Sequence, residues 1–226
     1  MSLPASPGVF GPAEALRSVD DQLLLSVNSF ARSTLWLQTP LLSYAKYGVG
    51  LFAVLLVTGL FLARHRSSRT LAAAGWACVA PLAAVGLNQP IGHLVAAARP
   101  YVAHPDLLVL ATRTSDFSFP SDHAVMAGAV AAGLLLVSRR LGAIAVGAAA
   151  LMAFARVYIA AHYPWDVVAG LAIGAGVAML GWLALIVPLN ALTRWLRERA
   201  PLRTAFAQST MGAQDTADPV RVSGLG

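Results

Sequence analysis

The stretch Arg156-Val157-Tyr158-Ile159-Ala160-Ala161-His162-Tyr163-Pro164-Trp165-Asp166 decides how this chain folds. It sets an arginine, a histidine and an aspartate at fixed spacing between two apolar runs that need none of them, about Leu141 to Ala160 and about Pro164 to Pro188. Runs of that length suit helices crossing a ~30 Å hydrocarbon layer. Working outward, the arrangement recurs. Phe119-Pro120-Ser121-Asp122-His123 stands at the mouth of a run from about Pro120 to Val137, and Arg99-Pro100 closes one from about Thr70 to Ala98. A further run covers about Tyr47 to Ala63. Ionisable groups are expensive at the ends of lipid-grade helices, and the default reading of them is functional.

Composition agrees with the runs. The 226 residues are 58% hydrophobic and 12% charged, with a mean hydropathy of +0.68, where a soluble domain carries roughly 25% charge. The expectation is an all-α integral membrane helical bundle of about five transmembrane helices, with an N-terminal interfacial helix. That helix is read from Leu16, Leu23, Val27 and Phe30 near one face, interrupted by Arg17, Asp20, Asp21, Asn28 and Arg32. Residues 1–12, rich in Pro, Gly and Ser, read as a flexible tail. Residues 13–200 form one membrane-embedded domain with its motifs between 88 and 170, and 201–226 read as a polar, disordered cytoplasmic tail. The net charge of +6 resides in short clusters between apolar runs, as topology requires, so no nucleic-acid partner is expected. Cys78 is the single cysteine; it excludes an intrachain disulfide and reads as packing. The N-terminal residues lack the cationic start and apolar core of a cleaved signal peptide.

Three basic clusters set the orientation. Arg64, Arg66 and Arg69, then Arg139 and Arg140, then Arg194, Arg197, Arg199 and Arg203 belong to the cytoplasmic side. The three polar motifs then converge on the external face.

Pro120 at a first helical position would place Ser121, Asp122 and His123 in a first turn whose free amides suit phosphate. Pro164 does the same for the last run, with His162 just ahead of the helix and Asp166 in its first turn, within reach of one imidazole nitrogen. Arg99 and Arg156 supply planar forks for phosphate oxygens. These parts assemble into phosphoryl transfer without a metal or other cofactor. An imidazole nitrogen of His162 attacks phosphorus, arginines and amides neutralise the equatorial oxygens, and a second histidine protonates the leaving oxygen. The candidate site lacks the carboxylate cluster magnesium prefers.

The motifs resemble the signature of the type 2 phosphatidic acid phosphatase superfamily, the lipid phosphate phosphatases whose active site is shared with vanadium haloperoxidases. The third motif matches as Arg156, five residues, His162, three residues, Asp166, with Ala155 where the family usually has serine. Ser118-Phe119-Pro120-Ser121-Asp122-His123 carries Asp122 where many members have glycine and looks like the bacterial undecaprenyl-diphosphatase branch. The first motif keeps Arg99-Pro100, but Gly92 stands where many members place a lysine. The resemblance implies His162 as nucleophile, Asp166 as its orienter, His123 as general acid, and Arg99, Ser121 and Arg156 as phosphate ligands. Arg113, Asp122 and Asn88 are further candidates, Arg113 as a loop substitute for the missing lysine. The implied activity is hydrolysis of undecaprenyl diphosphate to the monophosphate through a phosphohistidine, on the external face of a bacterial inner membrane. The alternative is a phosphatidate, phosphatidylglycerophosphate or other polyprenyl-phosphate phosphatase. Weaker rivals are a vanadium-dependent peroxidase, disfavoured by the membrane runs, and a transporter, disfavoured because the charges sit at one surface and not at the midplane. The expected partners are the lipid substrate and membrane lipids.

Overall fold

The computed structural model describes residues 12–199, and among them every regular element is a helix. These are α1 (Pro12–Ser33), α2 (Leu35–Tyr47), α3 (Val49–Ala63), α4 (Ser68–Val95), α5 (Pro100–Ala103), α6 (Asp122–Val137), α7 (Arg139–Tyr158) and α8 (Pro164–Arg199). The flexible tail expected over 1–12 lies outside the described residues up to position 11, and Pro12 already belongs to α1. The polar tail expected over 201–226, with Arg203, lies wholly outside them.

The stretch Ser68–Ala103 and the helices α7 and α8 are each long and apolar enough to cross a membrane. The α2–α3 pair, bent by 54°, is long and apolar enough for a fourth crossing only when its two helices are taken together. The run expected over about Tyr47 to Ala63 corresponds to α3, and α2 precedes it across the bend. The bend falls at Gly48, where a Cβ would sit 2.5 Å from the Tyr44 carbonyl and 2.8 Å from Met152. α6 is the shorter apolar helix, 16 residues long, and it occupies the centre of the bundle, packed against α3, α4, α7 and α8. α8 continues through Pro188 to Arg199, so the basic residues after position 193 extend the helix.

Small residues let α6 lie against α8. A Cβ at Gly174 would come 1.9 Å from the Val125 carbonyl, one at Gly128 2.3 Å from that of Leu171, and one at Gly170 2.8 Å from that of Ser121. Close backbone approach of this kind replaces the hydrophobic driving force that helices lack in lipid. It also sets the start of α6 beside the start of α8, where the Ser121 amide donates to the Asp166 carbonyl at 3.2 Å.

α1 is the expected N-terminal helix, with a division of labour the pattern did not show. Leu24, Asn28 and Ala31 are buried while Leu16, Leu23 and Phe30 face outward. Its polar residues staple the 96–121 connection to the bundle. The Asn28 amide donates to the Leu108 carbonyl at 2.9 Å and its oxygen accepts from the Leu108 amide at 3.0 Å. Arg32 reaches the Asp106 carbonyl, and His104 pairs with Asp21 at 2.9 Å. At the far end of the bundle, Arg197 donates to the Arg64 carbonyl at 3.1 Å, gathering basic residues of α8 and of the α3–α4 turn.

Candidate active site

A cavity of about 330 Å³ opens at the end of the bundle opposite those arginines, lined by Arg99, Asp116, Asp122, His123, Arg156 and His162 among others. Three motifs distant in sequence thus share one space. The reason is local: each sits where a helix begins or ends, and the 96–121 connection folds over all three.

His162 is buried in the α7–α8 turn, 2% exposed. The turn depends on Ala160, whose φ of 58° is left-handed and carries strain of ~1–2 kcal/mol for an L-residue. His162 Nδ1 lies 2.7 Å from the Ser118 carbonyl. Nε2 faces Arg156 Nη2 at 3.1 Å and Arg99 Nη1 at 3.3 Å. Guanidinium nitrogens only donate, so Nε2 accepts and the proton resides on Nδ1. Burial holds the imidazole below its ordinary range, Arg156 and Arg99 push the same way, and the Asp166 carboxylate opposes them. The ring is neutral with its lone pair aimed between two cations.

Asp166 stands further off than its spacing predicted. Its Oδ2 is 3.7 Å from Nδ1 and accepts instead from the Ser118 hydroxyl and, at 2.9 Å, from the Tyr163 amide. The main chain has taken the place of the direct acceptor, because a bond from the Ser118 amide to the Ala97 carbonyl at 2.9 Å brings the Ser118 carbonyl to the imidazole. Ser118, fully buried, therefore touches both His162 and Asp166, a role the sequence reading left unassigned.

Arg99 is 8% exposed and forks onto Asp116, Nε to Oδ1 at 3.0 Å and Nη2 to Oδ2 at 2.9 Å. Its Nη1 donates to the Ala161 carbonyl at 2.8 Å, so the Asp116 pair aims this nitrogen at His162. Burial lifts the Asp116 carboxyl, but the Arg99 and Thr114 hydrogen bonds outweigh it and hold the group below the usual range.

At the start of α6 the expectation needs correction. Pro120 is not the first helical residue; Ser121 is the N-cap and Asp122 begins the helix. The Ser121 amide is spent on the Asp166 carbonyl, while the Ser121 hydroxyl is buried and has no hydrogen-bond partner. Asp122 is held from α4, accepting from the Asn88 amide at 2.7 Å and from Gln89 at 3.1 Å. Asn88 thus meets the cavity through Asp122. Arg113 does not line the cavity and sits 5.5 Å from the centroid of the Tyr101 ring. Gly92 lines a neighbouring cleft with Asn88 and Asp122. One lining cation was missed altogether. Lys46, near the end of α2, borders the same cavity, and its signal was available, since the chain has no other lysine.

Residues 73–187 match the family model for the PAP2 superfamily. An undecaprenyl-diphosphatase of Sulfolobus acidocaldarius is 31% identical over 43% of this chain and 48% of its own length, so the chain spans about half of that relative. A decaprenylphosphoryl-5-phosphoribose phosphatase of Mycobacterium tuberculosis is 34% identical over 61% of this chain and 72% of its own. Among solved structures, the transmembrane PAP2-type phosphatidylglycerolphosphate phosphatase of Bacillus subtilis superposes with a TM-score of 0.53 at 20% identity, over 74% of this chain and 84% of that one. At that identity the likeness speaks for the fold.

Proposed function

The chain belongs to the PAP2 superfamily, and from that premise we propose that this membrane lipid phosphatase hydrolyses undecaprenyl diphosphate to the monophosphate on the external face of a bacterial inner membrane. The observation that carries the reading is the His162 imidazole, with Nδ1 committed to a main-chain acceptor and the Nε2 lone pair held between two arginines. In the proposed reaction Nε2 forms a bond to the terminal phosphorus. The bond from phosphorus to the bridging oxygen breaks, and the lipid monophosphate leaves with a proton from His123. Arg99, Arg156 and the Ser121 hydroxyl hold the non-bridging oxygens. Water, deprotonated by His123, then attacks the phosphohistidine, releasing inorganic phosphate and restoring the neutral imidazole.

The external placement is supported by the basic residues at the opposite end, where positive charge favours the cytoplasm. A metal-free mechanism is supported by the donor chemistry: guanidinium groups flank the His162 imidazole, and the two lining carboxylates are already engaged, Asp116 by Arg99 and Asp122 by Asn88 and Gln89. A second reading, a lipid monophosphate as substrate, is favoured by the Mycobacterium tuberculosis relative, whose name gives it a phosphoribose phosphate.

The test is phosphate release by the detergent-purified chain from undecaprenyl diphosphate, phosphatidate and a prenyl sugar phosphate, with EDTA and with His162→Ala. Turnover that prefers the diphosphate, survives EDTA, is lost in the variant and leaves an acid-labile phosphoenzyme after quenching is expected. Preference for a monophosphate would move the assignment to the second reading, and full activity of His162→Ala would remove the mechanism.

A further inference from the structure

We propose that Lys46 forms a second-phosphate subsite at the mouth of the cavity and makes the site selective for a diphosphate head group over a monophosphate. This rests on the phosphatase reading above and names the side chain that would choose among its substrates.

Position is the first argument. Lys46 lies in the last turn of α2, one turn after Leu42 and next to the fully buried Ala45, and all three residues line the cavity that holds His162. α2 is not free to drift there. The Tyr44 hydroxyl donates to the Ala148 carbonyl of α7 at 2.8 Å, and Gly48 lies against Tyr44 and Met152 with no room for a Cβ. The bend between α2 and α3 thus delivers the chain's one lysine to the rim of a site whose motifs all lie more than fifty residues further along.

Charge is the second argument. Arg99 is already forked by Asp116, and Asp122 also lines the cavity. Without Lys46 the two arginines of the lining, Arg99 and Arg156, would face its two aspartates, Asp116 and Asp122, with no cation in excess. Lys46 forms no ion pair with a described carboxylate; its Nζ rests 5.2 Å from the Tyr47 ring centroid, at an exposed tyrosine. Among the lining cations only Arg99 is held in an ion pair with a described carboxylate, so Lys46 adds its charge to the rim undiminished.

Space is the third. The volume of about 330 Å³ is more than one phosphate group requires. The terminal phosphate would take the nitrogens that now face Nε2, Arg99 Nη1 and Arg156 Nη2. The phosphate that stays with the lipid would need its own cation nearer the rim. A flexible ammonium serves such a group as a point charge, where a fixed arginine fork would dictate geometry. The competing role for a rim lysine is to lie along apolar surface with its charge in water, which predicts no discrimination between head groups.

The experiment compares wild type, Lys46→Gln, Lys46→Arg and Arg113→Ala on a prenyl diphosphate and the prenyl monophosphate of the same chain length. Lys46→Gln should lower the ratio of the two kcat/KM values by roughly 10- to 100-fold, the loss of one charged phosphate contact, chiefly through KM for the diphosphate. Lys46→Arg should recover most of the ratio. A readout without turnover accompanies it: inorganic pyrophosphate should raise the Tm of the wild type more than orthophosphate does, and Lys46→Gln should abolish that excess. An unchanged ratio, or the same ratio lost in Arg113→Ala and kept in Lys46→Gln, overturns the proposal. Failure of the phosphatase reading looks different, because the wild type would then release phosphate from neither lipid while the pyrophosphate excess could still be present.

Discussion

Gly174 offers a way to damage the site without touching it. It lies eight residues into α8 from Asp166, ~12 Å along the axis at 1.5 Å per residue. A Cβ there would stand 1.9 Å from the Val125 carbonyl of α6, and ordinary contact begins near 3.4 Å, so Gly174→Ala must part the two helices by about 1.5 Å. Overpacking of this kind costs ~1–3 kcal/mol, and the upper end applies because the obstacle is backbone. At roughly 2–4 °C per kcal/mol for a chain of this size, Tm should fall by about 6–12 °C. The same separation pulls His123 and Ser121 away from Asp166 and His162, and a 1 Å misplacement can cost ~100-fold in rate. Gly176→Ala is the matched control, since a Cβ there meets nothing within 4 Å, and helix propensity alone favours alanine by ~0.5–1 kcal/mol. Thermal unfolding in detergent and phosphate-release kinetics on both variants decide the matter. Wild-type Tm and kcat/KM in Gly174→Ala, or equal losses in Gly176→Ala, would refute the idea that close α6–α8 contact assembles the site.

Three further outcomes are expected. Ser118→Ala keeps the carbonyl that binds His162 but removes the hydroxyl bond to Asp166, a charged hydrogen bond of ~1.5–3 kcal/mol; kcat/KM should fall roughly tenfold or more with the far-ultraviolet spectrum intact, and undiminished activity would show the tie to be idle. His162 titrates below its ordinary 6.5, through burial first and the arginines next, and only the neutral ring can attack. The acid limb of kcat/KM, corrected for substrate ionisation, should therefore lie below pH 6.5, and a limb above that value contradicts the assignment. Asp20 accepts a hydrogen bond from the Trp165 amide at 3.0 Å, yet its carboxyl is raised to about 6, by burial first, with that amide opposing and Asp166 and Asp21 adding to the rise. A raised folded pKa gives stability that is full below the ordinary 3.8 and lost as pH rises through 6, so Asp20→Asn should raise Tm at pH 8 and not below pH 4; a gain that persists in acid would point to another cause.

The sequence carried the helices and the motif residues because both are written in local pattern: apolar runs of spanning length, and charged residues fixed at their ends. Arg99, His123, Arg156 and His162 could be grouped from spacing and topology alone. What escaped it depends on main-chain atoms or on contacts between distant segments. The acceptor for His162 Nδ1 is a carbonyl, which every residue possesses, so no residue type announces it. Pro120 suggested a helix start two residues too early, because the Ser121 amide bonds across to α8 before α6 begins. Gln89 is an unremarkable polar residue in α4 until Asp122 is seen against it. Lys46 was the residue whose uniqueness was visible but whose address was not, since the bend at Gly48 is what carries it to the rim.

The bond between the imidazole of His162 and the carbonyl of Ser118 also limits what genetics can observe. The feature that decides which nitrogen is free to react is encoded in the path of the chain and not in the identity of a residue. A saturation screen at position 118 would replace the side chain nineteen ways and leave the carbonyl oxygen in place wherever the loop still folds, so its outcome would report on the hydroxyl and say little about the carbonyl. The vulnerable positions are those that steer the path, Ala97 and Ala160 among them. Variation that harms the nucleophile would thus be found at small, chemically inert residues that no inventory of reactive groups would single out.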